Sequence, residues 1–520
     1  MARFFNTTGP CNPADHYMLP PEDRLVRAEL DRYIDSKLYW VLHAPRQTGK
    51  TTFLQSWMRT INSGDQALSC YVTVERCQGL SDVERAMPAI CQAIRENAEM
   101  ALGTAFVPPL PQTDPSSMLS VILIDWARLV APKPLVVLFD EVDVLQDQAM
   151  VSFLRQLRGG FANRGVGRFP VSIALVGMRD LRDYLVKSKD GIAVNPGSPF
   201  NIKEDSASLS NFTQHDVITL AHQHTEETGQ VFERTALERI WELTHGQPWL
   251  SNALLKKCVW KLCPKGELVT GTHVEEAREL LIQDRAVHLD SLTERLRDPR
   301  IKRIVQSIMV GESDPSLTSG DDYVLACDLG LVAKEKGTPV IANPIYREVI
   351  ARILSQGMQD AIPAPEFVWQ KSDGTLDMDA LLREFQDFWR EHSDIWELKA
   401  DYTEAFPHLL VMAFLQRVVN GGGRIEREYA AGRGRVDLAV LYSGEWNIIE
   451  IKLVAASSRE RVLQQGLQQV ERYRQSIDPA ANAYLVIFDR TPAGRSRSWN
   501  ERLSWETMAS AGGTVTVVGG

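Results

Sequence analysis

The stretch His43-Ala44-Pro45-Arg46-Gln47-Thr48-Gly49-Lys50-Thr51-Thr52 leaves this chain few ways to fold. An apolar run, Leu38-Tyr39-Trp40-Val41-Leu42, leads into it and reads as a short buried strand. Phe53-Leu54-Gln55-Ser56-Trp57-Met58 leaves it with helical spacing. Strand, tight turn, Lys-Thr and helix is the context in which loop amides and a helix N-terminus converge on phosphate groups. Read this way, Ala44 to Thr52 form the cradle of a nucleotide site. Lys50 would place a point charge on the β- and γ-phosphates, and the Thr51 hydroxyl would ligate Mg²⁺. Ala44 stands where a glycine is usual. If that position needs positive φ, its Cβ is strained there. The competing reading, a chance Gly-Lys-Thr on an ordinary turn, does not account for the strand and helix on either side.

A chain of 520 residues, 44% of them hydrophobic, has room for about three or four domains, each with its own core. The net charge of -10 and a pI near 5.6 exclude a polycation, so any nucleic-acid contact must come from local basic patches. Seven cysteines without a CxxC pair, with Cys258 and Cys263 far from any His pair, read as free thiols in a reducing cytosol. The opening MARFFNTTGP lacks the apolar core of a signal peptide, and no run reaches membrane-spanning length. The expectation is a cytoplasmic protein that does not engage a membrane.

From Phe4 to Arg24 the chain is rich in Pro, Asn and Gly. Its apolar patch Tyr17-Met18-Leu19-Pro20 could cover an adenine base or pack as an N-terminal arm. A strand is expected at Leu68–Val74. A second apolar run, Pro134 to Phe139, ends in Asp140-Glu141. Strands of a parallel sheet deliver their C-terminal residues to the ligand crevice. Asp140 would hold Mg²⁺ through water there, and Glu141 would polarise an attacking water. The strand Val171–Gly177 ends in Met178-Arg179-Asp180, where Arg179 can reach a γ-phosphate. Arg155, Arg158, Arg164 and Arg168, between these strands, are candidates to serve a neighbouring subunit in trans. Helices follow from about Ser206, one of them restarting at Gly246-Gln247-Pro248, and one is expected near Val274–Leu289. Between Ile301 and Ile350 the pattern reads helix, helix, two-stranded hairpin and helix, the outline of a winged helix.

APRQTGKT, LFDE, the GMRD strand end, GQP and the winged segment together resemble the prokaryotic AAA-like ATPases related to archaeal and STAND-type ATPases. The resemblance covers roughly Phe4 to Leu354, with Ala44 its main departure. It implies an ATP- and Mg²⁺-dependent switch in which Pro248 lies by the adenine and Arg179 contacts the γ-phosphate.

Gln356 to Leu376 reads as a linker, and an amphipathic helix follows with Leu381, Leu382, Phe385, Phe388 and Trp389 on one face. A helix from Glu404 to Val419 then precedes three short strands, Arg424–Tyr429, Arg435–Tyr442 and Trp446–Val454. Glu450 and Lys452 are two apart in the third strand and so share a face. Charge on an apolar strand needs a reason, because burying it unpaired is costly. A metal site supplies one: the Asp437 and Glu450 carboxylates with the Ile451 carbonyl suit Mg²⁺, and Lys452 would orient the attacking water.

These residues resemble the PD-(D/E)XK nuclease superfamily in order as well as identity. The next helix, Glu460 to Ile477, carries Gln469 and Tyr473, which look like the QxxxY element of RecB-like nucleases. Glu404 matches the extra acidic ligand of some members. The strand Ala483–Phe488 is expected to complete the core. A catalytically dead copy, its strand salt-bridged, is the bland alternative. From Asp401 onward there are 14 Lys and Arg against 13 Asp and Glu, a balance compatible with phosphate contact.

The expected fold is α/β: a P-loop NTPase parallel sheet (1–205), helical lid (206–290), winged helix (291–355), linker (356–376), and an α/β restriction-endonuclease-like domain (377–520). The expected function is an ATP-controlled, Mg²⁺-dependent nuclease acting on nucleic acid, DNA foremost, in genome defence or mobile-element biology. It could assemble as a homo-oligomer through arginines in trans. The alternative is a signalling ATPase whose tail only binds nucleic acid or a partner. A metabolic kinase is disfavoured, since nothing resembles a small-molecule acceptor pocket.

Overall fold

The computed structural model describes residues 3–25, 27–178, 186–187, 193–194, 203–284, 287–310, 320–359, 369–397, 411, 414–415, 424–431, 434–454, 459–489, 491, 497–510 and 512–519. Two compact units result, Met1–Ser291 with Pro315–Ile345, and Leu292–Asp314 with Tyr346–Gly520.

In the first unit, α1 (Arg27–Asp35) precedes β1 (Tyr39–His43), and α2 (Lys50–Ser63) leads to β2 (Leu68–Thr73). Helices α3 (Val83–Leu102) and α4 (Pro115–Leu129) come before β3 (Leu135–Asp140), and α5 (Asp147–Phe161) before β4 (Ser172–Gly177). The two-residue strands β5 (Val186–Lys187) and β6 (Ala193–Val194) pair with each other, and β7 (Lys203–Ser208) returns to the main sheet. That sheet is parallel, ordered β2-β3-β4-β1-β7. Every position of β3 and β4 is buried, as expected of strands covered on both faces. Alternation along β1 splits its side chains between two cores. Tyr39 and Val41 pack with α3, α4 and α5 around Trp126, Phe139 and Phe153. Trp40 and Leu42 pack with α1 and α2, where Tyr33 stacks on Trp40 at 4.5 Å and Trp57 meets Trp40 edge-on at 5.6 Å. Register sets His43 beside Gly177 and Thr73 beside Asp140, so the loop after β1 and the carboxylates after β3 share one edge of the sheet.

Helices α6 (Gln214–Thr228), α7 (Arg234–Thr244), α8 (Pro248–Lys257) and α9 (Gly271–Gln283) follow. A capping box between Thr213 and Asp216 starts α6, and Gly229 in the left-handed region ends it. The single helix expected near Val274–Leu289 is two. The α9 helix stops at Gln283, where the Asp284 amide closes its last turn, and α10 (Val287–Arg295) begins afresh. The N-terminal arm packs against α6: Gln223 exchanges two hydrogen bonds with the Met18 backbone, and the buried Tyr17 hydroxyl lies 3.2 Å from His224 Nδ1. Of the two uses open to Tyr17, this is the packing one.

The order helix, helix, hairpin, helix is present in α11 (Pro299–Val310), α12 (Asp321–Asp328), the antiparallel pair β8 (Val332–Glu335) and β9 (Thr338–Ile341), and α13 (Pro344–Gln359), with its parts divided between the two units.

The second unit contains α14 (Met378–Glu397), β10 (Arg424–Ala431), β11 (Gly434–Tyr442), β12 (Glu445–Val454), α15 (Arg459–Ile477), β13 (Asn482–Asp489), β14 (Trp505–Ser510) and β15 (Gly513–Gly519). Its sheet runs β10-β11-β12-β13-β15-β14, antiparallel through β12 and parallel from β12 to β13 and β15. The core does not end at Phe488 as expected. The β14–β15 hairpin adds two strands, fastened to α15 by Arg474, which bonds Glu471, Ser510 and the Thr514 carbonyl. One sheet face packs the apolar side of α14, Leu381, Leu382, Phe385, Phe388 and Trp389, as expected. The other packs α15. Of the helix expected at 404–419, Val411, Phe414 and Leu415 are helical and buried with α14, whereas Glu404 lies outside the described residues.

Candidate nucleotide site

The loop between β1 and α2 turns on two positive φ values, Gln47 at 59° and Gly49 at 90°. Ala44 is not among them, so its Cβ carries no such strain; it is buried against α2 and β4. Thr48 Oγ1 donates to the Pro45 carbonyl at 2.8 Å and tightens the turn. Arg46 and Gln47 lie exposed at the tip. Lys50 Nζ donates to the Ala44 carbonyl at 2.7 Å and to the Pro45 carbonyl at 2.9 Å. Burial pulls the Lys50 ammonium down to about 8, against the opposing pull of Asp140 and Asp143. Thr52 Oγ1 accepts the Cys11 amide at 3.0 Å, which ties the N-terminal arm to α2.

Across the crevice, Thr51 Oγ1 donates to Asp140 Oδ2 at 2.8 Å. This brings together the two oxygen donors expected at the metal, and oxygen is what a hard six-coordinate ion such as Mg²⁺ takes. Asp140 is 1% exposed. Burial pushes its carboxyl up, against hydrogen bonds from Thr51, the Glu141 amide and Tyr71 and the charge of Lys50. Glu141 sits at φ 60°, a left-handed value uncommon for a residue other than glycine, and its Oε2 accepts from Thr73 Oγ1 at 3.0 Å. Burial, then the neighbouring Asp140, raises the Glu141 carboxyl as well. Asp143 Oδ2 accepts the Met178 amide at 3.4 Å, linking the acidic turn to the end of β4. Arg179 lies outside the described residues.

Three contributors escaped the sequence reading. Tyr71 and Thr73 are two apart on β2 and hold Asp140 and Glu141, respectively. Tyrosine and threonine are ordinary strand residues, so only the β2–β3 register betrays them. Arg24 clasps the loop from behind. Its guanidinium donates to the Thr48 carbonyl and, through Nε at 2.8 Å, to the Ser210 carbonyl. Burial lowers it to about 10, and no sequence signal marks it.

Pro248 is buried at the first turn of α8, where its missing N–H costs nothing. Its neighbour Gln247 accepts the Leu250 amide at 2.6 Å and donates to the Gln47 carbonyl at 3.4 Å, so this segment touches the phosphate loop. The Arg164 guanidinium donates to the Lys37 and Phe161 carbonyls and stacks on the Phe161 ring. Arg155 and Arg168 are exposed.

In the second unit, Glu450 is 2% exposed, and its Oε1 accepts from Lys452 Nζ at 2.6 Å. Both share the parity of Ile448 and Val454, which face α15. Ile451, of the opposite parity, is buried on the α14 side. Tyr473 of α15 packs on Ala439 and Ile448, and Gln469, half-buried, lies one helical turn earlier. Asp437 is on β11, one step before the Leu438–Ile449 pair, but its side chain lies outside the described residues. Among the described residues no group of three or more His, Cys, Asp and Glu is placed to hold a metal ion. The seven cysteines are free thiols, as expected. No described helix is long and apolar enough to cross a membrane.

The chain is similar to a number of solved structures, among them the following three. The Walker-type ATPase PABY2304 of Pyrococcus abyssi is 14% identical with a TM-score of 0.48, covering 66% of this chain and 99% of that one. Cdc6p of Pyrobaculum aerophilum is 16% identical at 0.36, covering 65% and 95%. The RuvB Holliday junction branch migration motor of Thermotoga maritima is 14% identical at 0.34, covering 63% and 94%. With TM-scores under 0.5, these likenesses carry no structural inference. No curated protein matches the chain. Residues 34–185 match the family described as AAA domain, a span that holds the loop, Thr51, Asp140 and Glu141. The chain therefore contains an AAA-type P-loop ATPase domain, in which the loop after β1 and the carboxylates after β3 share one edge of the sheet.

Proposed function

We propose that this chain is an ATP-hydrolysing switch whose C-terminal unit engages nucleic acid and cleaves it with Mg²⁺. The observation that supports the hydrolytic half is the 2.8 Å contact of Thr51 with Asp140, beside Glu141 and Lys50. Bound with ATP, Mg²⁺ would supply charge neutralisation at the phosphates. The chain's own groups do the rest. Loop amides and Lys50 orient the triphosphate, Asp140 and Thr51 hold the metal's position, and Glu141, turned from Thr73, takes up the proton of the attacking water. The resemblance adds Pro248 at the adenine and Arg179 at the γ-phosphate, and the sequence pattern adds a winged helix across 291–355 and Arg155, Arg158, Arg164 or Arg168 for a neighbouring subunit.

The cleaving half rests on strand register. Continued one step beyond the Leu438–Ile449 pair, the β11–β12 register would bring Asp437 and Glu450 to the same level, with Lys452 two residues on. Tyr473 packs two residues away along the strands, on Ala439 and Ile448, and Gln469, one helical turn earlier, would stand near the level of the two carboxylates. Carboxylate oxygens suit Mg²⁺, and Lys452 would orient the attacking water. The Lys452–Glu450 ion pair also favours a second reading. It gives Oε1 of the buried carboxylate a cationic partner that is not a metal ion, as a module that binds nucleic acid or a partner without chemistry would use.

Purified protein with ATP and Mg²⁺, presented with linear, circular and single-stranded DNA and with RNA, separates the two. Cleavage that is lost in Asp437→Ala and in Glu450→Gln, with phosphate release from ATP retained, is the expected result. Binding without cleavage of any substrate would establish the second reading.

A further inference from the structure

Asp140 offers its two oxygens unequally. Oδ1 accepts the Glu141 amide at 2.9 Å. Oδ2 accepts two hydroxyls, Thr51 Oγ1 at 2.8 Å and Tyr71 Oη at 3.2 Å. A carboxylate oxygen has room for about two hydrogen bonds, so Oδ2 is full and one acceptor position remains, on Oδ1. The Tyr71 ring cannot easily withdraw. It packs in the core formed by α1 and α2, and its amide lies 3.2 Å from Met58 Sδ.

We propose that Tyr71 is a positioning residue that closes Oδ2 of Asp140 to direct metal coordination. Asp140 then meets the ion only through a bound water that donates to Oδ1. Mg²⁺ dehydrates reluctantly and keeps its waters, whereas Ca²⁺ takes carboxylate oxygens directly in flexible geometry. The closed oxygen therefore selects for Mg²⁺ and against Ca²⁺. This inference rests on the ATPase reading of the crevice.

The test is calorimetric titration of Mg²⁺ and of Ca²⁺ into the full chain saturated with a non-hydrolysable ATP analogue, wild type against Tyr71→Phe. Losing one hydroxyl donor should lower the Mg²⁺:Ca²⁺ affinity ratio by about three- to tenfold. Analogue binding in EDTA should stay unchanged, which a general loss of structure would not allow. A ratio within about twofold of wild type, given that margin, overturns the role of Tyr71. If Tyr71→Phe does not fold, 3-fluorotyrosine at position 71 keeps the ring and donates more strongly. The ratio must then rise, and an unmoved ratio overturns the proposal. Should the wild type bind the analogue no better with Mg²⁺ than in EDTA, the ATPase reading fails first, and that outcome is separate from the others.

Discussion

Gly246 is the residue on which the contact between the helical segment and the phosphate loop turns, and Gly246→Ala tests it. Gly246 has φ +69°, and a Cβ built there would lie 1.8 Å from the Phe212 carbonyl oxygen and 2.7 Å from its carbon. Real Cβ atoms do not approach closer than 3.0 Å, so the backbone at Phe212 must retreat. That retreat breaks the Phe212 amide's 2.8 Å hydrogen bond to the Gly246 carbonyl. Holding alanine in the left-handed region costs about 1–2 kcal/mol, and the lost hydrogen bond about 0.5–1.5 kcal/mol. A destabilisation of about 1.5–3.5 kcal/mol follows from the two terms. The displacement also moves Gln247 away from the Gln47 carbonyl, so ATP should bind more weakly. Urea unfolding of the first unit, followed by near-ultraviolet signals, gives the stability change, and calorimetry gives the affinity. An alanine variant that unfolds at the wild-type urea concentration and binds ATP normally would refute the packing argument.

Two further outcomes concern protons. Lys50 titrates at about 8 in the nucleotide-free fold, below its ordinary 10.5, so between these values the unfolded chain holds the proton more firmly and this group's contribution to stability rises with pH. A bound triphosphate favours the charged form, so ATP binding near pH 9 should take up a proton. Calorimetry in buffers of different ionisation enthalpy detects it, and a buffer-independent enthalpy would count against the buried ammonium. Thr73→Val removes the hydrogen bond that lowers the Glu141 carboxyl, leaving burial and Asp140 to raise it further. The acid limb of the hydrolysis–pH profile should move to higher pH; an unmoved limb means that Thr73 does not hold the carboxylate.

Local chemistry made the nucleotide crevice readable, because a phosphate cradle writes its strand, turn, lysine and helix into ten consecutive residues. The carboxylates on β3 were readable for the same reason. What escaped depends on partners far along the chain. Tyr71, Thr73 and Arg24 acquire roles only when β2 lies beside β3 and the segment before α1 folds behind the loop. In the second unit the alternation of β12 and the apolar face of α14 were plain. The β14–β15 hairpin was not, because no residue of the edge strand Trp505–Ser510 is buried and the run carries little apolar pattern. The break between α9 and α10 was lost in a continuous helical periodicity, which reports which face is apolar and not where the backbone stops.

The indole of Trp40 on β1 and that of Trp57 on α2 lie 5.6 Å apart at 72°. One belongs to the strand before the phosphate loop and the other to the helix after it. Two transition dipoles this close mix, and the mixing depends steeply on their separation and angle. Their near-ultraviolet circular dichroism couplet is thus an optical gauge, native to the chain, of any movement of α2 against the sheet. A nucleotide that draws the loop inward would change its amplitude without any dye or label being attached.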